Sequence, residues 1–285
     1  MKPKAEAGTY AAMAVGLAVL VACAGAVAPS TQPITATPMA GAAPAGARPA
    51  GFLTAQTRPD AVSTIPVAPK EGDARNTLDW EIFRKTRALE GGDRWKLAQA
   101  DDSYRPEYLL SAFSCAAGVS LTPANSPALA SILGRTTVDA GLAAEAAKQL
   151  YKRTRPFMHN EGNICIARSA GLDASFDYPS GHASLGWMTG LVIAQLAPDH
   201  ASSILARGRA YGESRVVCGL HNMSAIEAAR TNAAGVFAAL QGSPEFAAAM
   251  SVARQELAAA RASGAAPDAA TCAREAELVK PLALD

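Results

Sequence analysis

The chain has 285 residues, with 26 Lys and Arg against 25 Asp and Glu, for a formal net charge of +1 at pH 7. No block of basic residues dominates, which argues against a general nucleic-acid partner. Nothing after residue 70 is long and apolar enough to cross a bilayer, so a membrane-embedded enzyme is disfavoured.

In chain order, Lys2 and Lys4 precede an apolar stretch from Ala11 to Val21. At about 11 residues it is too short to span a membrane and matches the apolar part of an export signal. Leu20-Val21-Ala22-Cys23 follows and resembles a bacterial lipobox. Residues 1–23 are therefore read as a lipoprotein signal, with Cys23 lipidated and the protein held in the periplasm, anchored to the outer membrane. A plain signal peptide cut near an Ala-x-Ala site is the other reading. Residues 24–70 are rich in Ala, Pro, Gly and Thr, with prolines throughout. So few large apolar groups cannot offset the entropy of ordering, and the segment is expected to be a disordered linker.

Residues 71–285 read as one helical domain. Asn76–Leu89 carries apolar residues near helical spacing. Asp93 caps a short helix holding Trp95 and Leu97. Pro106 opens the next, and Gly118 ends it. Ser126-Pro127 starts a long helix toward Tyr151, with a candidate interruption at Gly134. Arg155-Pro156 closes it, because a residue before proline is pushed out of the helical region. A polar loop, 157–177, leads to Tyr178-Pro179-Ser180-Gly181-His182 and a helix over 182–196. Asp199 caps another toward Gly212 or Arg215. Further helices are expected from about His221 to Leu240 and from Ser243-Pro244 to about Arg261. A short last one holds Cys272. No strand alternation is present, and the fold class is all-α.

Beyond Cys23 lie Cys115, Cys165, Cys218 and Cys272. Their spacing fits no zinc pattern, so no metal site is read here. In an exported chain four cysteines suggest two disulfides, with three possible connectivities.

Three groups of residues carry chemistry. Pro179-Ser180-Gly181-His182 is a turn entering a helix, whose first N–H groups and partial positive charge suit an anion. It also reads as an ordinary Ser cap followed by a surface His. Lys148 and Arg155 lie seven apart, nearly two turns of one helix, and two cations on one face make sense around a shared anion. Ser214-Arg215 and His221 form the third group. Arg215 can bind two oxygens of one phosphate. His159 and His200 lie in polar contexts and read as surface residues.

Together these blocks read Lys148-x6-Arg155-Pro156, Pro179-Ser180-Gly181-His182 and Ser214-Arg215-x5-His221. The set resembles the class A bacterial non-specific acid phosphatases, within the type 2 phosphatidic acid phosphatase superfamily that also holds the vanadium haloperoxidases. The likeness extends over about residues 70–262. It implies a compact helical bundle and metal-independent hydrolysis of small phosphomonoesters, without a cofactor and optimal at mildly acid pH. A homodimer is common in that family. Lys148, Arg155 and Arg215 would hold phosphate oxygens, completed by Ser180 and the Gly181 N–H. His221 would attack phosphorus, and His182 would protonate the leaving alcohol. The loop before Pro179 and the segment after Arg215 must then converge on one phosphate. That convergence favours a Cys165–Cys218 disulfide, leaving Cys115 for Cys272.

One element departs from the pattern. The family Asp four residues after the nucleophile falls at Ala225. An Asp there would fix the His221 tautomer; Ala225 cannot. Glu227 lies off that face, and Ser224 could accept a hydrogen bond only without charge. His221 is then a weakened nucleophile, or is oriented by a carboxylate from elsewhere, or the site binds phosphate without turnover. A vanadate-dependent haloperoxidase is a further alternative that little in the sequence favours.

Overall fold

A computed structural model describes residues 49–159 and 162–282. The signal sequence, Cys23 and residues 24–48 lie outside them. Eleven α-helices and no β-strand occur among the described residues. They are α1 Ala61–Thr64, α2 Ala74–Thr86, α3 Asp93–Ala100, α4 Pro106–Ala117, α5 Pro127–Tyr151 and α6 Ala170–Asp173. Then follow α7 Gly181–Leu196, α8 Ala201–Val217, α9 Met223–Leu240, α10 Pro244–Ala262 and α11 Ala269–Leu278.

The local chemistry of these elements follows the sequence. Pro106, Pro127 and Pro244 each occupy the first helical position, where a missing N–H costs nothing. The Ser180, Ser243 and Asp268 side chains accept from a backbone N–H in the first turn of α7, α10 and α11. Gly118 ends α4 with φ 67°, a left-handed conformation that glycine adopts without penalty.

Helix α7 is the axis of the bundle and packs against α5, α8 and α9. Leu185, Met188, Val192, Ile193 and Leu196 are all buried, as expected of a helix apolar all round. Helices α7 and α8 meet through glycine. A Cβ on Gly208 would lie 2.9 Å from the Gly186 carbonyl oxygen, and a Cβ on Gly186 would overlap the Tyr211 ring at 2.3 Å. This close approach sets the start of α7, with Ser180 and His182, against the end of α8, with Arg215.

Several expectations need correction. Neither Asp93 nor Asp199 caps a helix: Asp93 is the first residue of α3, after Gly92, and Asp199 lies in a short turn before α8, whose N-cap is His200. Helix α5 runs unbroken through Gly134. The cost of one interior glycine, about 1 kcal/mol, is offset by buried Leu129, Ile132 and Leu133 around it. Arg155 is not on α5: the helix ends at Tyr151, Lys152 turns the chain with φ 43°, and Arg155 is extended. His221 precedes α9, which begins at Met223. Finally, the described part of the expected linker, from residue 49, packs on the domain. Asp139 accepts from the N–H groups of Phe52 at 2.7 Å and Leu53 at 3.1 Å. Arg135 donates to the Ala50 and Gly51 carbonyls and lies 3.7 Å over the Phe52 ring. Leu53, Ala61, Ile65 and Ala68 are buried, so these few apolar side chains suffice once such contacts hold the backbone.

Both disulfides pair as expected, Cys115–Cys272 and Cys165–Cys218. The first closes a sequence separation of 157 residues and ties α11 to α4. Replacing both its cysteines by Ala should lower unfolding stability by roughly 2–4 kcal/mol, the common range for a long loop. Urea unfolding under non-reducing conditions reads this directly, and an unchanged midpoint would contradict it.

Candidate active site

The site forms where the end of α5, residues 153–155, residues 175–180, the start of α7 and the end of α8 converge. Lys148 is on the last turns of α5, and its Nζ donates to the Phe176 carbonyl at 3.3 Å. Burial and the nearby Arg155 charge push its pKa down to about 8. Arg155, brought in by the loop, donates from Nε to Ser175 Oγ at 2.9 Å and from Nη1 to the Leu220 carbonyl at 2.9 Å. Ser180 is fully buried, and its hydroxyl caps α7 at the Ala183 N–H. Gly181 opens α7, and a Cβ there would meet no atom within 4 Å.

Arg215, 2% exposed, closes the group from α8. Its Nη2 donates to Asp102 Oδ1 at 2.7 Å, while its buried Nε and Nη1 have no partner among the described residues. An arginine buried with two unsatisfied donors is costly unless an acceptor comes from outside. Its placement depends on a buried network one residue earlier. Ser214 Oγ donates to Asp101 Oδ2 at 2.6 Å, and Asp101 pairs with Arg207 at 2.6 Å and accepts from Tyr108 at 2.7 Å.

His221 is buried against Arg155, whose Nη1 donates to Nε2 at 2.8 Å. Its Nδ1 lies 2.7 Å from the Asp177 carbonyl and 3.0 Å from Asp177 Oδ1. With a donor on one ring nitrogen and acceptors on the other, the network assigns the proton to Nδ1 and a lone pair to Nε2. Burial, with the charges of Arg155, Lys148 and Arg215, holds the imidazole well below the usual histidine range, so it is neutral. His182 has a 28% exposed side chain. Its Nε2 lies 3.0 Å from the Asp102 carbonyl, and burial together with Arg215 lowers its basicity too.

Asp177 is the residue that sequence reasoning missed. It is fully buried, and every acceptor position is used. The Asn222 N–H donates to Oδ1 at 3.1 Å and Asn222 Nδ2 to Oδ2 at 2.8 Å. Arg153 Nη1 pairs with Oδ2 at 3.2 Å. Burial nevertheless pushes this carboxyl up to about 6. The one available signal was an acidic residue directly before the Tyr178-Pro179 pair, in a chain lacking the family Asp.

Neither residue considered as a substitute for that Asp serves. Ser224 binds Asp79 through its N–H at 2.8 Å and its hydroxyl at 2.5 Å, and accepts from Arg153 at 2.8 Å. Glu227 is exposed on α9. Ala225 is buried in an apolar group with Ala147, Tyr178 and Ala228. The i+4 argument fails because His221 lies outside the helix. His159 and His200 are not part of the cluster.

An all-helical bundle that gathers Lys148, Arg155 and Arg215 around two histidines defines a class of anion-handling enzymes. The chain belongs to that class by descent as well as by shape. Residues 128–241 match the PAP2 superfamily model. The sequence is 38% identical to an acid phosphatase of Zymomonas mobilis over 205 residues, covering 72% of this chain and 78% of that one. It is 34% identical to a non-specific acid phosphatase of Providencia stuartii, covering 70% and 81%. For that of Salmonella typhimurium the identity is 33%, covering 68% and 78%. The protein is a member of the PAP2 superfamily, among relatives named as bacterial acid phosphatases.

Proposed function

We propose that the protein is a metal-independent acid phosphatase that hydrolyses small phosphomonoesters through a phosphohistidine intermediate. The observation that carries this reading is the His221 ring. Its Nε2 lone pair faces Arg155, with the charges of Lys148 and Arg215 acting on the ring, while Nδ1–H is committed to Asp177. In the first step Nε2 attacks phosphorus, the P–O bond to the alcohol breaks, and His182 gives its proton to the departing oxygen. In the second, water attacks the phosphorus, His182 takes the water proton, the N–P bond breaks and phosphate leaves. Lys148, Arg155 and Arg215 supply the positive charge that the transition state needs.

The reading that the site binds phosphate without turnover began from Ala225. Asp177 supplies the ring acceptor whose loss motivated it, which favours turnover. Anchoring through Cys23, a periplasmic location and a homodimer remain proposals outside the described residues or the single chain. Labelling with a radioactive fatty acid, compared with a Cys23→Ser variant, tests the anchor.

The experiment is para-nitrophenyl phosphate hydrolysis by the full chain, with and without chelator, across pH. Turnover should survive chelator, and an acid quench should be avoided, because a phosphohistidine is acid-labile and base-stable. Denaturation in base during turnover of a labelled substrate should leave label on His221. Loss of all activity with chelator, or label on no histidine, would defeat the reading. The kcat/KM profile should be bell-shaped. Its acid limb follows Asp177, which must be ionised and has its pKa raised to about 6. Its alkaline limb follows the proton that His182 must give to the leaving oxygen, which the free protein holds loosely because burial and Arg215 lower the basicity of that ring.

A further inference from the structure

Asp102 is a carboxylate inside the proposed anion cradle with no part in the chemistry above. Its Oδ1 accepts from Arg215 Nη2 at 2.7 Å, on the same guanidinium whose Nε and Nη1 are buried without partners among the described residues. Its backbone carbonyl lies 3.0 Å from His182 Nε2. The residue is not on a loose flap. Asp101 before it is locked to Arg207, and the Ser103 carbonyl after it accepts from the Tyr211 hydroxyl at 2.7 Å.

An oxygen bound to the open N–H groups of Arg215 must therefore share that guanidinium with the Asp102 carboxylate. Two anionic oxygens side by side repel, whereas one proton between them makes a charge-assisted hydrogen bond. We propose that Asp102 is a specificity-determining residue that makes the site take phosphate and phosphomonoesters in the form carrying one proton, and reject tetrahedral dianions that cannot carry one. This deepens the phosphatase reading and rests on its anion cradle. The second proton of a phosphomonoester titrates near pH ~6, so the selected species is the one abundant in mildly acid surroundings.

The charged and titratable groups facing Asp102 are Arg215 and Tyr211 from α8, His182 from α7, Arg155 from the preceding loop, and neighbouring Asp101. Lys148 also affects any bound anion. Sulfate controls for all of these, since it meets the same cations but holds no proton above strongly acid pH.

The test is calorimetric titration of the full chain with inorganic phosphate and with sulfate, at about pH 5.5 and about pH 8. Wild-type protein should bind phosphate at least about tenfold more tightly than sulfate at the lower pH, the size of one charge-assisted hydrogen bond. That preference should shrink at the higher pH. Asp102→Asn, which can donate to an unprotonated oxygen, should bring the two anions within about threefold by strengthening sulfate. Asp102→Ala should narrow the gap in the same direction. Equal binding of the two anions by the wild type, which needs no variant to fold, would overturn the proposal. An unchanged ratio in both variants would do so as well. Binding is read without turnover, so a failed hydrolysis assay with a preserved phosphate preference would count against the proposed function alone.

Discussion

His221→Ala should abolish para-nitrophenyl phosphate turnover, with kcat falling at least about 10⁴-fold, as expected when a nucleophile is removed. The three cations would remain. Arg155 keeps its bonds to Ser175 and the Leu220 carbonyl, Lys148 its bond to Phe176, and Arg215 its contact with Asp102. Phosphate affinity should therefore stay within about tenfold of wild type, a change of no more than about 1.4 kcal/mol. This separates lost chemistry from lost structure. A variant that still turns over at more than a few per cent of the wild-type rate would exclude a phosphohistidine at this position.

Asp177→Asn should be the second largest loss, about 10²- to 10⁴-fold in kcat by analogy with amide replacement of an orienting carboxylate. The amide can accept at only one of its two ends. Its NH₂ would face either the His221 and Asn222 N–H groups or Arg153 and the Asn222 side chain, all of them donors. The histidine would then lose its defined tautomer. A purely structural role predicts a different signature, so the pH profile decides. Wild type should lose activity below about pH 6 as Asp177 takes a proton, and the residual activity of Asp177→Asn should lack that limb. If the acid limb is identical in both, the limb belongs to another group.

Stability moves the opposite way with pH. The folded protein holds the Asp177 proton more tightly than the unfolded chain does. This residue's contribution is thus fully present below pH ~4, the ordinary carboxylate value, and is lost as pH rises through about 6. The site keeps an ionised carboxylate at a cost to folding, which is common where burial serves chemistry. The same geometry bears on Ala225→Asp. Placing a carboxylate among Ala147, Tyr178 and Ala228 buries a charge, while the His221 N–H already has its acceptor. Assayed beside the other variants, it should lose stability and gain no activity.

Local features are legible in the order of residues. Helix starts at Pro106, Pro127 and Pro244, the cap at Ser180 and the end at Gly118 are read from residues a few positions apart, because caps and φ restrictions act within one turn. The identities of Lys148, Arg155, Arg215, His182 and His221 were legible too, since their residue types and spacing form a pattern. How these groups meet follows from long-range packing. Arg155 reaches the site from a loop and not from the face of α5, because Lys152 turns the chain. His221 finds its carboxylate 44 positions upstream in Asp177, and Arg215 meets Asp102 across 113 positions. Contacts at such separations leave no periodic trace. They depend on where α7 and α8 lie, and glycine contacts between those two helices set that position.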